Sequence, residues 1–346
     1  MTRPQSLDDF KALVQATLEK NEDSLQAFGK TPSAQLKGYL IETNHPSIDS
    51  AGCPAGEWEP LGAPSWYVNK DPKHGRSLFA DVSTGRVWRI YSLLDATTSD
   101  GFIDSWVRET SGLDHCWLSR NLLLRYEKAQ NWQRRGLGLR YVDTLSPEEE
   151  AGYFSLKAWL RASEYLPALS EVLKIAEEKF AIYSVRWQKI SNGSVSISGE
   201  WYSNGKVTIN RGVDVDEVLT FISQMAVHYD RELHKVTKMR DQSMAAFEIS
   251  FSQKPNLDRF ADVTAGGTGE TGMWLTELEK SAGLRRFKGV DLHTWDRIFL
   301  DISEEFAHLV IPKKGCINAA PRFAVAQGEN NLGKTTILYD GVEVFV

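Results

Sequence analysis

The amino-acid sequence predicts an α+β protein in which antiparallel strands, arranged as a β-meander and hairpins, are covered by helices in two or three subdomains. Runs of β-forming residues flank three turn signals, at residues 83–85, 203–205 and 340–341, and such turns join neighbouring antiparallel strands. Helix-capping residues precede apolar positions at helical spacing after Ser6 and after Asp214. The 346 residues are 42% apolar, which supplies enough material for a sizeable core.

The first predicted region, residues 1–145, begins with a helix and continues through a turn-rich segment. Ser6 and Asp9 have the spacing of a capping box. The helix that follows has four apolar residues at helical spacing, namely Phe10, Leu13, Val14 and Leu18. Residues 44–63 are rich in proline and glycine and have too few apolar positions for a regular element. Residues 79–91 are predicted to form a hairpin.

The second predicted region, residues 146–252, is a helix-helix-meander-helix domain. Ser146 and Pro147 are typical of a helix start, and the apolar face of this helix would contain Phe154, Leu156 and Leu160. A second helix is predicted over residues 167–179. The meander strands are predicted at residues 181–189, 195–202 and 206–210, and the long helix after Asp214 carries Val218, Leu219, Ile222, Met225, Ala226, Tyr229 and Leu233 along one stripe.

The third predicted region, residues 253–346, has weaker signals. It contains a glycine-rich loop at residues 266–272 and a segment at residues 294–309 that is predicted to be a helix. The Asp340-Gly341 pair predicts a terminal hairpin.

Composition and charge predict a protein of the cytoplasm. We expect no membrane contact, since no stretch approaches the ~18 apolar residues of a membrane span, and the charged start of the chain does not resemble a secretion signal. The three cysteines, Cys53, Cys116 and Cys316, are widely spaced and odd in number, which fits a reducing compartment. The net charge of −6 excludes a protein that coats nucleic acid with its whole surface but permits a local basic patch.

Tryptophan is unusually frequent, with eleven residues in the chain. Most are expected to be bulky core residues. The alternative is a recognition surface, because the indole ring buries a large area and keeps a polar edge. Trp58, inside the turn-rich segment, is the candidate for contact with a partner protein, since loops often carry recognition residues.

The segment from Gly328 to Thr335 matches the Walker A pattern of phosphate-binding loops at every specified position. In such a loop, backbone amides and the lysine hold phosphates at the N-terminus of a helix that follows at once. Residues 336–345 are instead rich in β-forming residues. The sequence therefore predicts a loop between two strands, and not a nucleotide site.

A second glycine pattern, G-x-G-x-x-G, is formed by Gly267, Gly269 and Gly272. A helix is predicted after it at residues 273–281, and Asp291 follows at the end of a predicted strand. Residues 262–292 resemble the cofactor-binding start of Rossmann-like methyltransferases. The resemblance implies a nucleoside-containing cofactor such as adenosylmethionine, whose ribose hydroxyls Asp291 would bind. Only 54 residues follow Leu292, too few to complete such a sheet in chain order.

Residues 120–141 form a basic segment with interleaved aromatic residues. It contains one acidic residue, Glu127, and three aromatic ones, Tyr126, Trp132 and Tyr141. Its basic residues are Arg120, Arg125, Lys128, Arg134, Arg135 and Arg140. Cations beside stacking rings would suit nucleic acid or a phosphorylated ligand. The alternative is a helix whose basic face is solvated.

These patterns favour a binding protein over an enzyme. His228 and Glu232 are four residues apart on a predicted helix, but two ligands do not make a metal centre, so no metal site is predicted. We expect a non-catalytic binding or adaptor subunit of a larger intracellular, bacterial assembly, with another protein as its partner and no cofactor. The alternatives are an adenosylmethionine-type enzyme or sensor that uses Gly267, Gly269, Gly272 and Asp291, and nucleic-acid binding through residues 120–141.

Overall fold

The computed structural model describes residues 4–28, 35–71, 73–75, 77–142, 153–159, 178–265 and 272–346, together with residues 171 and 174. The chain divides into two compact units. Unit 1 comprises residues 1–116, 126–134 and 186–231, and unit 2 comprises residues 117–125, 135–185 and 232–346. Both units are assembled from segments that are not consecutive in the chain. The boundaries predicted at residues 145/146 and 252/253 stay a prediction.

The first sheet has eleven strands. They are β1 Leu36–Thr43, β2 Glu57–Pro60, β3 Trp66–Lys70, β4 Leu78–Asp81, β5 Val87–Ser92, β6 Leu113–His115, β7 Trp132–Val142, β8 Tyr153–Trp159, β9 Ala181–Ser191, β10 Ser194–Tyr202 and β11 Lys206–Gly212. Their order across the sheet is β2-β3-β4-β5-β1-β11-β10-β9-β7-β8, and β6 pairs with β1. Every residue of the central strand β1 is buried.

Three helices accompany these strands, α1 Leu7–Phe28, α2 Ala96–Glu109 and α3 Arg120–Leu124, and a fourth, α4 Val215–Gln242, follows β11. The core of unit 1 is aromatic. Phe10 of α1 lies 4.4 Å from Phe79, measured between ring centroids, and Phe221 of α4 lies 5.7 Å from Trp201. Helices α1 and α4 are therefore held by large apolar side chains, as their apolar stripes predict.

The second sheet belongs to unit 2 and has seven antiparallel strands. They are β12 Phe247–Phe251, β13 Met273–Ser281, β14 Leu284–Asp291, β15 Arg297–Ser303, β16 Phe306–Val310, β17 Thr335–Tyr339 and β18 Val342–Glu343. Their order is β13-β14-β15-β16-β12-β17-β18. Alternate residues of β14, β15 and β16 are buried, because successive side chains of a strand point to opposite faces.

Helices α5 Leu257–Ala265 and α6 Ala319–Gln327 supply the apolar partners of the inner face of this second sheet. Phe260 of α5 lies 5.7 Å from Phe287 of β14 and 6.4 Å from Phe323 of α6, between ring centroids. Every residue of α6 is buried. The outer face of β13 to β16 carries the exposed residues of these strands, and no described helix of unit 2 supplies apolar partners to it.

The predicted α+β class with antiparallel strands is confirmed, and several of its elements are too. Helices begin at Leu7 and Val215 as predicted, and the meander β9-β10-β11 and the hairpins β4-β5 and β17-β18 form where turn residues indicated them. The turn-rich segment 44–63 is less irregular than predicted. It contains a short 3-10 helix, Asp49–Ala51, and the strand β2, which pairs with β3.

Three predicted helices are wrong, because the segments are strands. Phe154 and Leu156 are predicted to lie on a helix face, yet both belong to β8, which pairs with β7 over seven residues. Residues 273–281 form β13, and residues 294–309 form β15 and β16 around a turn in which the Ser303 hydroxyl accepts hydrogen bonds from the backbone. Short apolar runs fit either period, so tertiary pairing decides between helix and strand. The predicted helix start at residues 146–147 and most of residues 167–179 lie outside the described residues.

Among the described residues, no helix combines the length and the apolar character that crossing a membrane requires.

Candidate functional site

The structure brings together Gly272 and Asp291, two of the four residues predicted to bind a cofactor. Gly272 immediately precedes β13, Asp291 ends β14, and the backbone N–H of Leu292 donates to the Gly272 carbonyl (2.9 Å). Gly267 and Gly269 lie outside the described residues. Helix α5 comes before these glycines and strand β13 comes after them, whereas a phosphate-binding glycine loop leads from a strand into a helix N-terminus. The helix that the resemblance implies after the glycines is therefore absent at residues 273–281.

Asp291 is used inside the protein. Its carboxylate is 1% exposed and forms an ion pair with Arg322 of α6, which is itself buried. The same carboxylate accepts a hydrogen bond from the backbone N–H of His293 (3.0 Å). Gly272 has a φ of +60°, and a Cβ atom there would lie 3.1 Å from Nε of Arg322. Glycine is therefore required where the chain passes over the guanidinium group.

This buried pair stabilises the turn between β14 and β15. The backbone N–H of Asp291 donates to the Asp296 carbonyl (2.8 Å), and that of Trp295 donates to the Asp291 carbonyl (2.7 Å). Trp295 has a φ of +60° and is 62% exposed. Positive φ is costly for a bulky side chain and occurs often at binding sites. The turn thus holds a tryptophan in solvent.

Trp295 adjoins a row of exposed side chains on the outer face of the second sheet. We define the aromatic-cationic surface as Trp274, Lys288, Trp295, Arg297 and Phe299. Trp274 of β13 lies opposite Val290 of β14, which lies opposite Arg297 of β15. In the next row, Lys288 lies opposite Phe299. Directly opposed side chains have Cβ atoms ~4.5–5.5 Å apart, so these residues form one continuous patch.

Among the described residues, the two cations of the surface, Lys288 and Arg297, have no ion-pair partner. Two acidic residues nearby are paired elsewhere, because Arg286 contacts Asp301 (3.1 Å) and Glu279 (2.8 Å). In the part of the chain that the structure describes, none of the five side chains makes a hydrogen bond, an ion pair or a ring contact. Trp274 is 54% and Phe299 43% exposed. The surface therefore offers unpaired cations and open rings side by side.

The Walker-like segment has a different geometry from a phosphate loop. Helix α6 precedes it, and residues Gly328–Leu332 form a π-helical turn before β17 begins at Thr335. A following strand is confirmed, but the predicted strand before the loop is wrong. The backbone N–H of Gly333 donates to the Gly328 carbonyl (3.2 Å), and that of Lys334 donates to the Ser252 hydroxyl (2.8 Å). These amides are therefore engaged within the protein.

The basic segment is divided between the two units. Arg120, Arg125, Arg135 and Arg140 belong to unit 2, and Lys128 and Arg134 belong to unit 1. Several of its cations are neutralised: Arg134 lies 3.4 Å from Glu127, and Arg140 lies 2.9 Å from Glu329.

Two of the three expected stacking rings of the basic segment pack within unit 1. Tyr126 lies 4.6 Å from Trp132, and Trp132 lies 4.9 Å from Phe221, between ring centroids. Tyr126 is buried and Trp132 is half-buried, so neither ring forms a fully exposed platform. The role of the basic residues in nucleic-acid binding stays a prediction.

Trp58, the predicted partner contact, is half-buried in β2. Its indole N–H donates to the Gly52 carbonyl (2.8 Å), and its ring lies 6.2 Å from that of Trp106. It packs against the hydrophobic core around Trp88 and Trp106. The described contacts of its ring are thus with the core of the protein. Its contact with a partner stays a prediction.

Sequence reasoning missed all five surface residues. Residues 273–275 and 298–300 are continuous apolar runs, so the sequence has no alternation there that would mark Trp274 and Phe299 as exposed. Their exposure follows from the pairing of β13, β14 and β15.

The fold defines a two-sheet α+β protein with an exposed aromatic-cationic surface on its second sheet. Residues 2–326 match the model of the MJECL33-like protein family, and the chain belongs to that family. "Uncharacterized protein MJECL33" of Methanocaldococcus jannaschii is 22% identical to it over 337 residues, covering 83% of this chain and 82% of the relative.

Proposed function

We propose that this protein is a non-catalytic binding or adaptor subunit of a larger intracellular assembly and that it holds another protein on the aromatic-cationic surface. One observation carries the proposal: four exposed side chains on strands β13, β14 and β15 lie together with Trp295 of the adjoining turn, and among the described residues none of the five has an internal partner. Aromatic residues and arginine are the types that protein interfaces favour. A sheet positions them rigidly, which limits the entropy lost on binding.

The exposed area of the three aromatic rings is large enough to contribute substantially to binding. The three rings leave roughly 300 Å² in solvent on the scale of ~150–250 Å² for an aromatic side chain. Burying that area contributes about 8 kcal/mol at ~25 cal/mol per Å². Association costs ~4–15 kcal/mol, so the rings supply anchors and the surrounding contacts must complete the interface.

The structure favours this proposal over a nucleoside-cofactor enzyme. The carboxylate of Asp291 is buried and ion-paired with Arg322. A ribose hydroxyl would have to displace that partner, at the cost of leaving a buried guanidinium uncompensated.

The test compares the wild type with a variant that lacks two anchors, Trp274→Ala/Phe299→Ala. Each tagged protein is expressed in the native host and purified at low salt. We expect a second polypeptide to co-elute with the wild type in a fixed ratio and to be lost from the variant, since truncating an anchor typically costs ~2 kcal/mol or more.

A matched control removes exposed apolar side chains elsewhere, Val213→Ala/Met244→Ala, which should keep the partner. Equal recovery of the polypeptide with both variants would contradict the proposed surface. A partnerless wild type that turns over a small molecule would contradict the adaptor function itself.

A further inference from the structure

We propose that the partner presents an acidic, extended peptide segment, which lies across β13, β14 and β15 with carboxylates at Lys288 and Arg297. This inference rests on the proposed function and specifies the chemistry of the bound segment. Its basis is charge complementarity at two exposed cations that have no ion-pair partner among the described residues and lie beside exposed rings.

The spacing of the cations fits an extended chain. Lys288 lies opposite Phe299, and Arg297 lies opposite Val290, so Lys288 and Arg297 are diagonal neighbours on adjacent strands. Diagonal neighbours are ~7–8 Å apart. An extended peptide rises ~3.3 Å per residue, so side chains at alternate positions on one face repeat every ~6.6 Å. Two acidic residues at alternate positions can therefore meet both cations.

The three rings of the surface favour apolar residues between and beside the acidic residues of the bound segment. Trp274 flanks the cations on β13, Phe299 faces Lys288 directly, and Trp295 sits in the turn that precedes Arg297. Apolar side chains of the segment would cover these rings and shield the ion pairs from solvent. Shielding strengthens electrostatic attraction, because the local dielectric constant falls.

Single-stranded nucleic acid is the alternative ligand of this surface, and the small number of cations disfavours it. Backbone phosphates release counterions in proportion to the number neutralised, with a salt slope of about −0.7 for each phosphate on a single strand. Two cations would give a slope near −1.4 by that rule, which is weak beside the positively charged grooves of single-strand binders.

The experiment measures direct binding to the full-length protein at low ionic strength by fluorescence anisotropy. The probes are a labelled peptide with glutamate at alternate positions and leucine between them, the same peptide with glutamine for glutamate, and labelled oligothymidylate. We expect the glutamate peptide to bind at least ~10-fold more tightly than the glutamine peptide, since two shielded ion pairs contribute a few-fold each.

The variant Lys288→Gln/Arg297→Gln should abolish this preference. Lys313→Gln/Lys314→Gln removes the same charge from exposed positions outside the surface and should leave it unchanged. Unaltered circular dichroism and melting will show that both variants fold. Equal affinity for the two peptides, a preference that survives Lys288→Gln/Arg297→Gln, or tighter binding of oligothymidylate would overturn the inference.

The same variants separate this inference from the proposed function. If Trp274→Ala/Phe299→Ala loses the native partner while Lys288→Gln/Arg297→Gln keeps it, the surface binds a protein but not through acidic residues. If both variants keep the partner, the proposed function fails as well.

Discussion

Replacing Arg322 by methionine should destabilise the protein strongly. The change removes the positive charge that compensates Asp291 and leaves a carboxylate that is 1% exposed. The hydrogen bond from the His293 backbone remains, but one neutral donor does not replace a guanidinium group. Breaking a buried ion pair from one side typically costs ~3–5 kcal/mol. We expect a loss of about 3 kcal/mol in the free energy of unfolding, because methionine keeps much of the apolar contact.

Asp291→Asn should cost a similar amount, because it leaves the buried Arg322 unpaired. The amide oxygen can still accept the hydrogen bond from His293, so the turn itself is largely preserved. The double variant removes both charges, and replacing a buried pair as a whole is often nearly neutral. The double variant should therefore be more stable than the sum of the single losses implies, with a coupling of at least ~2 kcal/mol.

Urea unfolding followed by tryptophan fluorescence and by far-UV circular dichroism measures these differences. Arg297→Met is the matched control, since it changes the same residue type on the surface and should alter stability by less than ~0.5 kcal/mol. A loss below ~1 kcal/mol for Arg322→Met, or strictly additive effects of the two single variants, would refute a structural role for this pair.

Three further predictions test other parts of the structure. Gly289→Ala should destabilise the protein by ~2 kcal/mol, because the new Cβ would lie 2.0 Å from the Trp274 carbonyl oxygen. Gly101→Ala lies in open space on helix α2 and should stabilise the protein by ~0.5–1 kcal/mol in the same urea assay. Burial lowers the pKa of Lys37 to about 8 from 10.5, so the unfolded state binds more protons between these values. Unfolding free energy should therefore rise by about 3 kcal/mol from pH 8 to 10.5, and Lys37→Met should flatten the rise. Lys334→Ala should leave the melting temperature unchanged, and calorimetry should detect no ATP binding by the wild type.

Local signals predicted the elements that depend on local chemistry. The turn at residues 203–205 and the capping residues near Asp214 each act within a few positions, so the β10-β11 hairpin and helix α4 could be read from the sequence. Strand β8 could not, because all seven of its residues pair with β7, and this pairing determines their conformation. The same holds for β13, whose partner β14 determines its conformation.

Gly272 and Asp291 show why the role of a residue is harder to predict from the sequence than its place in the fold. The pattern correctly selected a glycine with an unusual backbone angle and an acid near it in space. A glycine that lets the chain pass over a guanidinium looks the same in sequence as one that lets it approach a phosphate. Arg322, which distinguishes the two, lies 31 residues beyond Asp291 and on another element.

The edge strand and the outer face of the second sheet differ in the exposed residues that they carry. Among the described strands, β13 ends the sheet, and it carries the exposed charged residues Glu277, Glu279 and Lys280 together with a register shift between the first two. Charges and bulges of this kind prevent an edge strand from pairing with other chains. On the same strand, Trp274 stands exposed on the face, beside Phe299 of β15. If the outer face were protected against non-specific association in the same way, the positions of Trp274 and Phe299 would also carry polar residues. Under the proposed function, the charged edge limits non-specific strand pairing, while the exposed face stays available for the partner.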